Sequence, residues 1–287
     1  MLISGFTSPI LNFSKYHGLG NDFILMDDPD GQIQKSLSAD RIRALCHRQT
    51  GIGGDGILVR TASSHADHRM LLFNADGTPA EISGNGLRCF VLFLKECGYP
   101  VDRELTIETG GGIQRARANE FPPAMGGGAG EGVVESTMPR PEFSAGGNVL
   151  TLTEKDLNFT VIPVSVGNPH GVIFGPERDI PFAEKYGPGL EKNPAFPAGA
   201  NIEFVHVLDN RSCQLVVWER GVGITLACGS GSVATACAGA HAGHFAFDQP
   251  IAVHQPGGTL HITVGKNFSE IRQRGPAAFV FKGEIDL

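Results

Sequence analysis

A short pattern that occurs twice constrains this 287-residue chain more than any other feature. Its first copy runs Asn74-Ala-Asp-Gly and then Ser83-Gly-Asn-Gly ahead of an apolar helical stripe. Its second runs Glu219-Arg-Gly and then Cys228-Gly-Ser-Gly ahead of a helix of small residues. Ser83 and Cys228 stand 145 positions apart, close to half the chain. Self-similarity at that period predicts an α+β fold of two pseudo-symmetric domains, each a curved, mostly antiparallel sheet around a central helix, with the active site in the interdomain cleft. Coincidence is the competing reading of so short a match.

Alternation and β-branching predict strands at 13–16, 23–26, 57–60, 69–74, 105–108 and 113–117. Further strands are expected at 133–138, 147–152, 159–166, 171–174, 202–208, 213–219, 261–264 and 278–282. Ser38 is placed to cap a helix reaching about residue 48, and a helix from Ser83 to Glu96 puts Leu87, Phe90, Val91 and Leu94 on one face. In the second half only the stretch from Cys228 through His241 reads as a good helix, and its small residues imply close packing on a sheet. The Gly/Pro-rich interval 120–132 marks a boundary, giving an N-terminal domain of 1–130 plus 276–287 and a C-terminal domain of 131–275.

Charge and cysteine usage remove several function classes. Lys and Arg number 23 against 30 Asp and Glu, a net charge of -7, and no local basic patch stands out, so no nucleic-acid partner is expected. No apolar run approaches the ~18 residues of a membrane span, and the start lacks a secretion signal, so the expected address is cytoplasmic, with no membrane partner. The six cysteines form no C-x2-C pair, which argues for reduced thiols and against a metal site. His65, Asp67 and His68 read as an exposed turn. Gly51 to Gly56 lacks the lysine of a phosphate-binding loop, and Gly84-x-Gly86 lacks the third glycine of a dinucleotide fingerprint. No lysine is singled out as a Schiff-base former, so no cofactor is implied and pyridoxal phosphate is not called for.

The two glycine loops carry the chemistry. A strand end, a small nucleophile, glycines and a helix start present unpaired N–H groups that can bind a carboxylate and stabilise negative charge developing on a substrate. Two such loops face to face suit removal of a proton from one face of an amino-acid Cα and delivery to the other. Cys228 is the stronger base, since a thiol at a helix N-terminus is expected to have a lowered pKa; a buried structural thiol is the alternative. For Ser83 a routine N-cap role is the alternative. Asn168 and Asn201 can bind substrate amino and carboxylate groups and His170 can tune the thiol, although both asparagines also suit turns. Glu219 and Arg220 form either a cleft pair or a solvated edge pair. Asn21 and Asn74 serve either the cleft or turns.

The residues together resemble the diaminopimelate epimerases, within the wider proline racemase-like group. The resemblance is carried by Lys15-x-His17-Gly-Leu-Gly-Asn-Asp-Phe23, Gly51-Ile-Gly-Gly-Asp-Gly56, Phe73-Asn-Ala-Asp-Gly77 and Gly84-Asn-Gly-x-Arg-Cys89. It continues through Gly167-Asn-Pro-His170, Asn201-Ile-Glu-Phe-Val205 and Glu219-Arg-Gly-x-Gly-x-Thr-x-Ala-Cys-Gly-x-Gly231. It implies a bacterial, cofactor-free isomerase that interconverts LL- and meso-2,6-diaminopimelate for lysine and peptidoglycan synthesis, and it suggests a homodimer. By motif position it implies substrate binding by Asn21, Asn74, Asn168, Asn201, Glu219 and Arg220, and N–H donation to the reacting carboxylate from Gly84, Asn85, Gly229 and Ser230. His170 and Glu219 would lie beside the catalytic pair.

One position departs from the family. Its first catalytic cysteine falls on Ser83, while the second is kept as Cys228. Cys89 is no replacement: six residues along a helix carry it ~9 Å away. A hydroxyl is almost wholly protonated near neutral pH, so abstraction from the Ser83 face is expected to be slow or absent. The serine is an engineered change, a natural variant with an adjusted environment, or a mark of different chemistry. The alternatives are racemisation of another amino acid, a hydroxyproline-type dehydration, or amino-acid binding without turnover.

Overall fold

The computed structural model describes residues 10–120, 131–144 and 149–286. In chain order the first half holds β1 (Ile10–Gly18), β2 (Asn21–Asp27), α1 (Gln32–Ser36), α2 (Ala39–Cys46), β3 (Gly56–Thr61), β4 (His68–Asn74), β5 (Pro79–Ala80), α3 (Gly84–Glu96), β6 (Leu105–Thr109) and β7 (Gly112–Glu120). The second holds β8 (Glu131–Met138), β9 (Glu142–Phe143), β10 (Leu150–Glu154), β11 (Leu157–Ser165), β12 (Pro169–Phe174), α4 (Ile180–Glu191), β13 (Asn201–Asp209) and β14 (Ser212–Glu219). It ends with β15 (Gly223–Ile224), α5 (Gly229–His241), β16 (Pro250–Gln255), β17 (Gly258–Val264) and β18 (Ile271–Asp286).

The first half is a closed ring. Strands pair in the order β1, β2, β3, β4, β6, β7, β8, β18 and back to β1, with β2 to β3 and β4 to β6 parallel and the others antiparallel. Helix α3 fills it. Leu87, Phe90, Val91 and Leu94 are wholly buried, as their spacing predicts, and they join Tyr16, Leu25, Leu58 and Ile107 in one core. The second half repeats the order as β11, β12, β13, β14, β16, β17 and β18, again with β12 to β13 and β14 to β16 parallel. Its core is packed on Val233, Ala234, Ala236 and Cys237 of α5.

Strands β8 and β18 join the two halves: β18 pairs with β17 as well as with β8, β8 leads into β9, which pairs with β11, and β8 and β18 pair with each other from Ile271 opposite Met138 to Ala278 opposite Glu131. Beyond that point β18 continues along β1 to Asp286, so the returning strand closes the first ring. The division drawn from the sequence falls at these two shared strands; residues 121–130 of the expected linker, and 147–148 of the expected strand at 147–152, lie outside the described residues. Among the described residues no helix is long and apolar enough to cross a membrane.

Three readings are corrected. The second half contains a further long helix, α4, hidden in the sequence by Pro181, Gly187, Pro188 and Gly189. Asp179 caps it by accepting from the Phe182 N–H at 2.9 Å, and Ala183, Tyr186 and Leu190 bury against Phe159, Ile202 and Phe204, so packing overrides poor propensity. Strand β16, Pro250–Gln255, was not expected; its Ile251 and Val253 bury inward, flanking half-buried Ala252, with Pro250 and His254 exposed. His68 is a buried residue of β4, where Arg60 Nε donates to its Nδ1 at 3.3 Å, whereas His65 and Asp67 remain in the bend before it.

Close approach explains a glycine inside α5. A methyl group at Gly239 would stand 2.2 Å from Phe245 Cδ2 and 2.3 Å from Cε2. Alanine normally stabilises a helix by up to ~1 kcal/mol over glycine, but overpacking here costs about 1–3 kcal/mol. Gly239→Ala is therefore expected to lower the urea midpoint of unfolding; a raised midpoint would show that Phe245 yields freely.

Candidate active site

Ser83 and Cys228 occupy one and the same place in the two halves. Each is an N-cap with extended backbone, and each side chain accepts the N–H three residues on: Gly86 N to Ser83 Oγ at 3.0 Å, Gly231 N to Cys228 Sγ at 3.3 Å. Gly84, Asn85, Gly229 and Ser230 begin the first turns, whose N–H groups have no carbonyl one turn back to receive them. The helix starts meet. A methyl group at Gly229 would lie 3.6 Å from the Cα of Gly84.

Gln273 of β18 ties that meeting point together. Its Nε2 donates to the Gly229 carbonyl at 2.9 Å, and its Oε1 accepts from Arg88 Nη1 at 2.7 Å. Arg88 also donates to Gly84 O at 3.2 Å, Asn85 Oδ1 at 2.5 Å and Pro276 O at 3.1 Å. The guanidinium is wholly enclosed, and burial lowers its pKa to about 10. Asn85 in turn donates to Asn21 Oδ1 at 3.2 Å and to Ala227 O at 3.3 Å, so one amide touches both halves.

On the first-half side Asn21 donates to Asp55 Oδ2 at 2.7 Å. Lys15 pairs with Asp22 at 2.6 Å, and Arg48 reaches Asp22 and Asp55 at 2.7 Å each. Burial works against the Asp22 carboxylate, but hydrogen bonds from Arg48 and Lys15 overcome it and hold the pKa at about 2. Asn74 is exposed and donates to Thr78 Oγ1 at 3.1 Å, a turn contact.

On the second-half side His170 is buried, with Nδ1 2.6 Å from Glu203 Oε1 and Nε2 2.9 Å from Asn168 Oδ1. Asn168 donates to Ser230 Oγ at 3.4 Å, and Ser230 Oγ lies 3.6 Å from Cys228 Sγ. Asn201 has both ends of its amide on main chain: it donates to Pro169 O at 3.2 Å and accepts from Arg220 N at 2.9 Å. The Arg220 side chain is exposed and reaches Ala198 O at 3.2 Å. Glu219 accepts from the Thr225 hydroxyl and from the Cys228 thiol, and burial raises its pKa.

The lowered thiol pKa expected from the helix start is not what the fold produces. Burial pushes the Cys228 thiol well up, and Glu219 and Glu203 push it further; the Ser230 hydroxyl and Gly231 N–H pull the other way and lose. Burial and two carboxylates outweigh one helix end. Cys228 therefore rests as a thiol. Cys89 is also enclosed, its pKa pushed up to about 12 by burial, with its side chain in the first-half core.

Sequence reasoning quoted Glu203, Arg88 and Asp55 inside motifs without giving them a part in the site, and passed over Gln273. Glu203 carried a usable signal, a carboxylate between Ile202 and Phe204 in an apolar strand; Gln273 carried none, because its partners are 44 and 185 residues away. A cavity of about 760 Å³ lies elsewhere, among residues of β1, α1 and β18 such as Phe13, Ile33 and Lys282.

Residues 13–121 and 162–280 match the family model described as diaminopimelate epimerase. A diaminopimelate epimerase of Desulfitobacterium hafniense is 38% identical over 279 residues, covering 94% of this chain and 96% of its own length. One of Desulforudis audaxviator is 39% identical over 285 residues, covering 96% and 99%. Among solved structures, a Bacillus anthracis phenazine biosynthesis protein of the PhzF family superposes with a TM-score of 0.71 at 19% identity, over 97% of this chain and 100% of its own. A hydroxyproline epimerase from Agrobacterium vitis does so with a TM-score of 0.67 at 13% identity, over 98% and 92%. These two share the fold.

The Asp22 cluster sets a pH dependence. Its pKa lies below the ordinary 3.8, so its stabilisation is present above that value and is lost as pH falls toward about 2. Asp22→Asn is expected to cost on the order of 1–2 kcal/mol at neutral pH and to flatten the acid loss. Urea unfolding at neutral and acid pH checks both; equal stability of the two forms at neutral pH would contradict the assignment.

Proposed function

The chain belongs to the diaminopimelate epimerase family, and from that premise we propose that it interconverts LL- and meso-2,6-diaminopimelate by proton transfer across the two faces of one Cα, Cys228 serving one face and Ser83 the other. It is an amino-acid epimerase, an isomerase. The observation that carries the finer reading is the meeting of two helix starts whose N-caps are Ser83 and Cys228.

Catalysis on this reading starts from the thiol. Glu219, in contact with it and with a raised pKa of its own, is the acceptor that lets Cys228 become a thiolate when substrate arrives. The thiolate takes the α-proton, and first-turn N–H groups of Gly84, Asn85, Gly229 and Ser230 receive the carboxylate on which charge develops. Asn21, Asn74, Asn168, Asn201 and Arg220 grip the rest of the molecule. Ser83 must then return a proton from the opposite face, and in reverse must remove one, which a hydroxyl does poorly. The Ser83 direction is therefore the slow one. The reading needs no cofactor, belongs to lysine biosynthesis in the cytoplasm, and carries a homodimer as its assembly.

Two variants test it. Ser83→Cys is expected to raise epimerisation in both directions by ~10²-fold or more, the scale of a positioned acid or base. Cys228→Ala is expected to abolish exchange of the substrate α-hydrogen with solvent deuterium. If the reduced protein and Ser83→Cys both fail to exchange that hydrogen in LL- and meso-diaminopimelate, the reading is wrong. Little change on Ser83→Cys would mean that the serine works in its own way.

A further inference from the structure

The pseudo-twofold lets each residue of one half be compared with its counterpart. Phe23 faces Gly56 across the parallel pair of β2 and β3, as His170 faces Asn201 across β12 and β13. Two residues further along, Leu58 is the counterpart of Glu203. A methyl group at Gly86 would lie 3.3 Å from Ser83 Oγ and 3.4 Å from Leu58 Cδ1. At Gly231 it would lie 3.2 Å from Cys228 Sγ and 3.0 Å from Glu203 Oε1. Leu58 thus underlies Ser83 as Glu203 underlies Cys228.

The fold itself does not ask for a carboxylate and an imidazole here. Phe23 and Leu58 are buried hydrocarbon in the core around α3. In the second half Glu203 is wholly enclosed, its Oε1 on His170 Nδ1 and its Oε2 without a hydrogen-bond partner among the described residues. Enclosing such a group is unfavourable where an apolar pair would not be. From Glu203 the contacts run on without a break. His170 donates from Nε2 to Asn168 Oδ1, Asn168 donates to Ser230, and Ser230 touches the Cys228 thiol.

We propose that Glu203 is a positioning residue for Cys228: it fixes His170 with an N–H toward Asn168 and, lying beneath the sulfur, keeps the thiol in its protonated, proton-donating form. The groups facing the sulfur are Glu203 from β13, Glu219 from β14 and Ser230 of α5 itself; His170 from β12 bonds Glu203, and Gln255 of β16 accepts from the Cys228 N–H at 2.7 Å. Of the Glu203 and His170 pair, the carboxylate is the end that meets the thiol. Its removal favours the thiolate. Burial and Glu219 remain, so part of the upward push on Cys228 remains.

The catalytic consequence rests on the epimerase reading, but the thiol is measured without substrate. Ultraviolet absorbance of the thiolate is titrated for the protein and for Glu203→Gln, each corrected by subtracting the same form carrying Cys228→Ala. The expected result is a fall of about one pH unit in the Cys228 midpoint in Glu203→Gln. A merely structural role would leave the midpoint in place, and an unshifted midpoint in a folded variant overturns the proposal. Should Glu203→Gln fail to fold, the double variant Glu203→Leu, His170→Phe copies the pair the first half uses, is expected to fold, and must show the same downward shift. In the substrate assay, where the Cys228 thiolate takes the α-proton, Glu203→Gln is expected to raise kcat for α-hydrogen exchange by up to about tenfold with KM changed by less than about twofold. A shifted midpoint with no exchange in any form would sink the epimerase reading and leave the Glu203 assignment standing.

Discussion

The contact on which the structure depends is Gln273 lying between two helix starts. One amide binds the Gly229 carbonyl and, through the enclosed Arg88, the Gly84 carbonyl and the Asn85 side chain. Gln273 stands on β18 opposite Ser136 of β8, within the strand pair that both rings share. The shared strands fix the two halves in register, and the amide fixes their helices. Buried polar bridges of this kind are costly if any member is lost, which makes the distance between the two N-caps a property of the fold.

The two halves share a backbone plan and differ in chemistry. Ser83 sits over Leu58, which packs with Phe23 in the first-half core; Cys228 sits over Glu203, which holds His170, and beside Glu219. Symmetry brings two helix ends together, and asymmetry puts hydrocarbon beneath one and carboxylates beside the other. The helix start alone would make Cys228 a thiolate. Burial and two carboxylates reverse that, so Cys228 rests as a thiol with Glu219 alongside.

Much of this was legible in the sequence. The stripe of Leu87, Phe90, Val91 and Leu94 marked α3 as a core helix, and the small residues after Cys228 marked a helix packed close enough for Phe245 to exclude a methyl group at Gly239. The repeated glycine loops exposed the pseudo-symmetry, because a turn preceding a helix leaves a local signature. What failed was whatever depended on distant partners. Helix α4 contains residues that ordinarily stop helices and exists because Tyr186 and Leu190 find a core. The protonation of Cys228 depends on Glu203 and Glu219, which reach it from separate strands. His68 looked exposed because its neighbours are, yet one residue carries the chain from bend to buried strand.

The proposed chemistry requires Ser83 and Cys228 to face one another where the helix starts meet, and a covalent link tests that directly. Mild oxidation of Ser83→Cys is expected to join positions 83 and 228 in a disulfide, which forms only when the Cα atoms come within about 7 Å. Peptide mass spectrometry identifies the bridge, and adding Cys228→Ala removes it. A folded variant whose position 83 stays unbridged to 228, or bridges to another cysteine instead, would contradict the account.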